Sequence, residues 1–388
     1  MPSKNKDNFK TWVEVSASAI KHNIKVFRGL AGPEKKLMAV VKSNAYGHGL
    51  VETALIADKS GVEWFGVDSV DEALLLRESK FKKPILVLGY TRSSRVEEMV
   101  KQNVSFVAYN PDLLKELKKL SKAGALKKTP AKLHLKIETG TFRQGLSGDE
   151  LLSFAKAATA IPGVEIQGMY THFANIEDTT DRSFADLQLS RFTEAKKLLN
   201  DQGIYPKLCH SACSAAALLF PETHFDMIRM GISMYGLWPS KETRAVMLRQ
   251  RKDVVLKPAL AWKTRIAQIK NIPKGTSVSY GLTETVSRKS RIAILPVGYW
   301  DGFDRGLSNV GHVLIHGTRC KIMGRICMNM CLVDVTDVSS AKVGQEVTLL
   351  GKDGDSTVSA DEIAGQIATL NYEVVTRINP LLPRVIID

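Results

Sequence analysis

The sequence predicts an α/β protein in two parts: a (β/α)8 barrel of the TIM type over residues 1–250, followed by a mostly β C-terminal domain over 251–388. Three observations predict it. Strand-like and helix-like patterns alternate through about the first 240 residues, eight short apolar runs fall in that stretch, and beyond about residue 250 strand-like runs joined by Gly, Pro, Asn and Asp replace the alternation. Such alternation demands parallel strands with crossover helices, and eight units of this kind close a barrel.

The eight runs are "LMAVVK" (37–42), "WFGVDS" (64–69), "PILVLG" (84–89), "SFVAYN" (105–110), "LHLKIE" (133–138), "IQGMYTHF" (166–173), "PKLCHS" (206–211) and "MIRMGISMYG" (227–236). Between them the clearest helix is 110–121, with Asn110 as cap, Pro111 in the first turn and Leu113, Leu117 and Leu120 on one face. Ahead of the first run, Ile20, Ile24 and Phe27 recur at helical spacing after Ser16 and Ser18, while 11–15 can join the β domain. In the C-terminal part the runs are "PALAWKTRIAQIKNI", "RIAILPVGYW", "GHVLIHGTRCKIMGRICMNMCLVDV" and "GQEVTLLG". One late helix is expected near 359–370, where Ser359 and Glu362 make a capping box.

Composition is that of a globular protein with a full core: 44% hydrophobic and 24% charged residues in 388. The opening "MPSKNKDNFKTWVEV" has no apolar signal region, and no segment nears the roughly 20 apolar residues of a membrane helix, so a cytoplasmic protein without membrane association is expected. Cys209, Cys213, Cys320, Cys327 and Cys331 contain no C-x-x-C pair and read as reduced thiols. His312 and His316, four apart on a strand, would lie about 13 Å from each other, too far to share an ion, and no metal is expected. The net charge of +14 is spread over helix faces such as "LKELKKLSK" without stacking aromatics, which argues against nucleic acid and leaves small anionic ligands compatible.

Active sites on such barrels sit at the carboxyl ends of the strands. Lys42 ends the first run, Arg143 follows the fifth, His172 ends the sixth, Ser214 follows the seventh and Arg229 lies in the eighth. Taken singly, these fit a core histidine, a helix cap, a surface ion pair and a lysine whose stem covers apolar surface. Together they fit a reactive amine, since a lysine at the mouth of an apolar core loses its proton readily and can form a Schiff base. Ser214 opens "SAAALLF", and the glycine of "RMGISMYG" allows close approach of backbone N–H groups to the same anion. With no Walker or dinucleotide glycine pattern, a phosphorylated cofactor that also needs an amine suggests pyridoxal phosphate.

The motifs "AVVKSNAYGHG", "THFANIED", "RMGISMYG", "SVSYG", "PVGYWDGFDR" and "GRICMNM", in that order, resemble the alanine racemase family over nearly the whole chain. The resemblance implies that Lys42 carries pyridoxal 5'-phosphate, that Tyr46, Ser214 and the backbone of Gly231 and Ile232 hold its phosphate, and that Arg229 faces the pyridine nitrogen. It further implies two bases, Lys42 and Tyr280, on opposite faces of the α-carbon, with Arg143 and His172 near Tyr280 as support. Racemisation needs both, since one base returning its own proton to the same face regenerates the starting enantiomer. A homodimer in which Tyr280 reaches the Lys42 of the other chain is implied, with Met328 and Cys327 helping to hold the substrate carboxylate. Tyr299, Arg305 and Arg325 match the family's substrate entrance, and Lys136 a lysine that many members carbamylate to orient the residue here numbered Arg143. Cys213, Asn329 and Pro380 depart from the family's asparagine, aspartate and, in some members, phosphate-contacting tyrosine. The implied activity is interconversion of L- and D-alanine, supplying peptidoglycan. Rivals are a racemase of broader range, a barrel-type amino-acid decarboxylase and a non-catalytic pyridoxal-phosphate binder, the last having no need of "SVSYG" or "GRICMNM".

Overall fold

The protein, described from a computed structural model over residues 6–251 and 253–388, divides into two compact units. The opening stretch read above against a signal peptide lies outside the described residues over 1–5. One unit comprises Ala19–Ser43 and Ala54–Lys257; the other gathers the N-terminal stretch up to Ser18, Asn44–Thr53 and Pro258–Asp388.

Strand β1 (Thr11–Ser16) belongs to the second unit. The first is built on β2 (Lys36–Val40), β3 (Trp64–Val67), β4 (Ile85–Val87), β5 (Ser105–Ala108), β6 (Ala131–Lys136), β7 (Val164–Tyr170), β8 (Leu208–His210) and β9 (Met227–Met230). Each of the eight apolar runs therefore overlaps a strand. The strands are parallel in the order β8-β7-β6-β5-β4-β3-β2-β9. Two single bonds complete the ring between β8 and β9, from Asp226 N–H to Cys209 C=O at 3.0 Å and from Arg229 N–H to Ala212 C=O at 3.1 Å. Most of these strands are buried along nearly their whole length, as expected where helices cover the outer face. Helix Pro111–Lys122 is capped by the Asn110 side chain, which accepts from Asp112 N–H, and buries Leu113, Leu117 and Leu120. Helix Ala17–Ala31 buries Ile20, Ile24 and Phe27.

The first run ends differently from expectation. Strand β2 stops at Val40, and Lys42 opens a turn, Lys42–Tyr46, in which Ser43, Asn44, Ala45 and Tyr46 have φ of 56°, 54°, 53° and 53°. Four consecutive non-glycine residues are thus left-handed, at about 1–2 kcal/mol each. Glu72 offsets part of this cost: its carboxylate accepts from Ser43 N–H at 2.6 Å and from Asp68 N–H at 2.8 Å. His172 likewise lies two residues beyond its strand, β7.

In the second unit the remaining strands are β10 (Leu260–Arg265), β11 (Gln268–Ile272), β12 (Ser277–Val278), β13 (Glu284–Thr285), β14 (Ser290–Leu295), β15 (His312–Ile315), β16 (Thr318–Met323), β17 (Cys331–Asp334), β18 (Glu346–Asp353), β19 (Ser356–Val358) and β20 (Arg384–Ile387). The main sheet runs β11-β14-β17-β16-β15-β18-β10-β1-β20, with β19 on β18. Trp12, Val13, Val15, Leu314, Ile322, Val333, Val347 and Leu349 are buried in this unit. His316 is not on the strand with His312; it lies at φ 52° in the turn between β15 and β16.

Two late helices replace the single one expected: Ala360–Gln366 and Asn371–Thr376. Ser359 accepts from Glu362 N–H, but the Glu362 carboxylate binds Arg319, so the return half of the capping box is not made. The second helix, "NYEVVT", was hidden by aromatic and β-branched residues that favour strands. No helix among the described residues is long and apolar enough to cross a membrane, and none of their His, Cys, Asp and Glu groups could hold a metal ion.

Candidate active site

Arg229, on β9, is buried and forms no ion pair with a carboxylate among the described residues. Its Nη1 donates to His210 Nδ1 and His210 C=O, both at 3.0 Å. Its Nη2 donates to Thr171 C=O and Ser211 C=O, both at 2.8 Å, with His172 Nδ1 at 3.4 Å. The terminal nitrogens are fully engaged, so Nε–H is the one donor of this guanidinium without an acceptor among the described residues. A buried cation paired with carbonyls and imidazoles, whose burial lowers its pKa from 12.5, is costly unless something anionic or electron-rich arrives to share it.

The same bonds fix two histidine tautomers. Arginine can only donate, so His210 Nδ1 must accept and its Nε2 carries the proton. Nε2–H then donates to His134 Nδ1 at 3.0 Å, and His134 Nε2–H to Gln167 Oε1 at 3.3 Å, an oxygen that also accepts from Ser105 Oγ at 2.6 Å. Burial and the neighbouring Arg229 hold His210 well below its ordinary pKa, and burial pushes His134 down to about 4. Gly168 makes the approach possible: it pairs with His134 on one side and Leu208 on the other, and a Cβ there would stand 2.6 Å from the His134 ring.

Around this core stand the other barrel residues. Lys136 ends β6 buried, its Nζ 4.4 Å from the centre of the Tyr170 ring, which stacks on His210 at 4.9 Å. Burial, then Arg229 and Arg143, push the Lys136 amine well below 10.5. His172 is held well below its ordinary pKa by burial and then by Arg229, Lys136, Arg143 and Lys42, with Arg229 Nη2 at 3.4 Å from its Nδ1. Arg143 is exposed, in the loop after β6. Lys42 is half-exposed, with Asp68 Oδ1 at 3.6 Å from its Nζ.

The anion-binding reading has local support. Ser214 Oγ accepts from Gly231 N–H at 3.0 Å and Ser233 N–H at 3.4 Å, which leaves its own hydrogen to donate. Ile232 N–H has no acceptor among the described residues, and the buried Ser233 hydroxyl has no partner. Cys213, just before Ser214, makes no cap bond, and burial raises its pKa.

The second unit brings together Tyr280, Arg325, Cys327, Met328 and Tyr299. The Arg325 guanidinium lies against the backbone of Gly281, which sits at φ 73°, so that a Cβ there would be 2.9 Å from Nη1. Ser279 Oγ donates to Arg325 C=O at 2.5 Å, and Tyr299 and Trp300 N–H groups donate to Cys327 and Met328 C=O at 3.1 and 3.0 Å. Tyr299 and Arg305 line a cavity of about 450 Å³ with Trp300, Asp304 and Arg377. Tyr280 and Met328 are 71% and 55% exposed. Tyr46, in this unit, has its ring 6.3 Å from that of Tyr372, and the neighbouring Gly47 C=O accepts from Arg384 at 2.9 Å. Asn329 is exposed beside Met328, and Pro380 stands in the turn Asn379–Leu382.

Sequence reading passed over His134 and His210, both counted as strand residues. The signal was present: two imidazoles inside apolar runs, and a glycine in the run between them.

Comparisons with known proteins agree with this geometry. Residues 15–239 match the family model described as alanine racemase, N-terminal domain, and 259–386 that described as the C-terminal domain. A protein of Leptospira interrogans named alanine racemase is 39% identical over 389 residues, covering 100% of this chain and 98% of that one. The crystal structure of the Bacillus anthracis alanine racemase with bound L-Ala-P superposes with a TM-score of 0.91 at 35% identity, covering 98% and 95% of the two chains. A histidine racemase from Leuconostoc mesenteroides gives 0.88 at 28%, covering 98% and 99%. With both halves matched and relatives this similar over their full length, the chain belongs to the alanine racemase family.

Proposed function

We propose that this protein interconverts L- and D-alanine with pyridoxal 5'-phosphate, acting as a homodimer and supplying D-alanine for peptidoglycan. The observation that carries the reading is Arg229, a buried cation with one unused N–H among the described residues, whose Nη1 is held by a neutral His210. The residues present fit the cofactor. Lys42 would hold it covalently; Ser214, the backbone at Gly231 and Ile232, and Tyr46 would hold its phosphate; His172 would lie near it and Arg229 Nε–H would serve the ring nitrogen. When bound, the cofactor supplies a sink for the electron pair left on the α-carbon as its proton departs.

The chain's own groups do the rest. Guanidinium keeps its hydrogens at any physiological pH, so Arg229 gives the ring nitrogen a hydrogen bond without giving it a proton. That makes the sink weaker and restrains side reactions. Lys42 takes or returns the α-proton on one face, and Tyr280, supplied by the second copy, serves the other. The cationic surroundings of Arg143 and Arg229 suit a substrate carboxylate, which Arg143, Met328 and Cys327 would hold. Tyr299, Arg305 and Arg325 would line the entrance. Exposed Tyr280, Met328, Trp300 and Leu282 give the second unit an apolar face of the kind a second copy covers.

A broader substrate range is the second reading, favoured by the histidine racemase of the same fold. Racemisation assays across L-alanine, L-serine and L-histidine decide between them. Protein loaded with cofactor should be yellow, and Lys42→Ala colourless; a wild type that stays colourless after loading would sink the proposal.

A further inference from the structure

We infer that Gln188 is a positioning residue for the barrel site, holding the loop of Arg143 and the segment of His172 in one fixed relation. This rests on the function proposed above. Gln188 lies on helix Ser183–Asn200 and is wholly buried. Its partners alone orient its amide. Ala174 N–H can only donate, so Gln188 Oε1 accepts there at 2.8 Å. The two Nε2 hydrogens then go to Thr139 Oγ1 at 3.0 Å and His172 C=O at 3.3 Å.

The direction propagates. Thr171 Oγ1 gives its hydrogen to Ile137 C=O at 3.0 Å, so the 2.7 Å contact between the two hydroxyls must have Thr139 donating to Thr171. A one-way chain runs from Gln188 through Thr139 and Thr171 to the backbone after β6. Thr141 Oγ1 donates to the same His172 carbonyl at 2.7 Å, Arg191 Nη1 to Thr139 C=O at 2.9 Å, and Arg229 Nη2 to Thr171 C=O at 2.8 Å. Residues 139–143 and 171–174 lie beyond the ends of β6 and β7, with no strand ladder of their own, so these side chains do the holding. A buried network with every donor and acceptor assigned is rigid, and a misplacement of about 1 Å in a site can cost on the order of 100-fold.

The test uses cofactor-loaded dimer. Gln188→Met keeps the volume and removes all three bonds; Thr139→Val cuts the chain at its centre. Each should lower kcat/KM for L-alanine roughly ten- to hundredfold, chiefly through KM, because Arg143 is displaced, while the cofactor absorbance is retained. The double variant should lose no more than the worse single one. Phe192→Leu, a buried change on the same helix outside the chain, should lower the melting temperature and leave KM unchanged. If Gln188→Met does not fold, Gln188→Glu and Thr139→Val carry the comparison. Normal KM in the single variants of an active enzyme, or additive losses in the double, overturns this inference alone; a wild type inactive on alanine overturns the parent reading.

Discussion

Arg229 donates to His210 Nδ1 at 3.0 Å, and that one bond decides which nitrogen of His210 holds a proton. Arg229 itself is a charged donor at any physiological pH, where a carboxylate would instead favour a protonated partner. Replacing Arg229 by Glu should raise long-wavelength absorbance during turnover and cut kcat roughly a hundredfold. Unchanged spectra with Arg229→Glu would remove this residue from the ring nitrogen.

Buried neutral imidazoles make stability depend on pH. His134 and His48 are both pushed by burial from 6.5 to about 4. Between those values the unfolded chain binds more protons than the folded one, so their contribution is complete above 6.5 and falls as the pH drops toward 4. At about pH 5 the loss is roughly 2 kcal/mol for each imidazole. Urea unfolding across this range should be steeper in pH for wild type than for His134→Gln.

Tyr280 carries the second proton. Tyr280→Phe should bind cofactor normally and lose interconversion of alanine enantiomers by about 100-fold or more. Circular dichroism of the substrate during turnover measures it directly, and full activity would remove Tyr280 from the mechanism.

Lys136 is buried among arginines with its ammonium disfavoured, which suits it to react with carbon dioxide. The lone pair of its neutral amine would form the N–C bond and one N–H proton would go to water, placing a carbamate anion beside Arg143 and Arg229. Intact mass under mild conditions should carry one added carbon dioxide, lost in acid. Lys136→Ala should lose at least roughly tenfold in kcat/KM, about 1.4 kcal/mol, and regain part of it with acetate. An unmodified mass at neutral pH would contradict the carbamate.

Glu72 holds the left-handed turn after Lys42 through Ser43 and Asp68. Glu72→Ala strips both N–H groups of their acceptor and should cost about 1–2 kcal/mol in urea unfolding. The same variant should release the cofactor more readily, which dialysis followed by absorbance would measure.

What could be read from the amino-acid order was largely local. The eight apolar runs are strands because β-branched and aliphatic residues bounded by turn formers have few other ways to be buried, and helix 111–122 is announced by its cap, its proline and its leucine spacing. Lys42, Arg143, His172 and Ser214 could be placed just beyond the carboxyl ends of strands, and Arg229 within one, because position along a barrel strand fixes which rim a residue reaches. The motifs went further and matched the family.

The tertiary structure alone decided what depends on neighbours distant in sequence. The left-handed turn at Ser43–Tyr46 runs against the preference of Ser43, Ala45 and Tyr46 and is tied at Ser43 by Glu72, 29 residues away. The tautomers of His134 and His210, 76 residues apart, follow from which hydrogen Arg229 can give, and the amide of Gln188 from one N–H at Ala174. Sequence names the donors and acceptors; only the fold brings each to a partner, and a hydrogen bond has no direction until both ends are known.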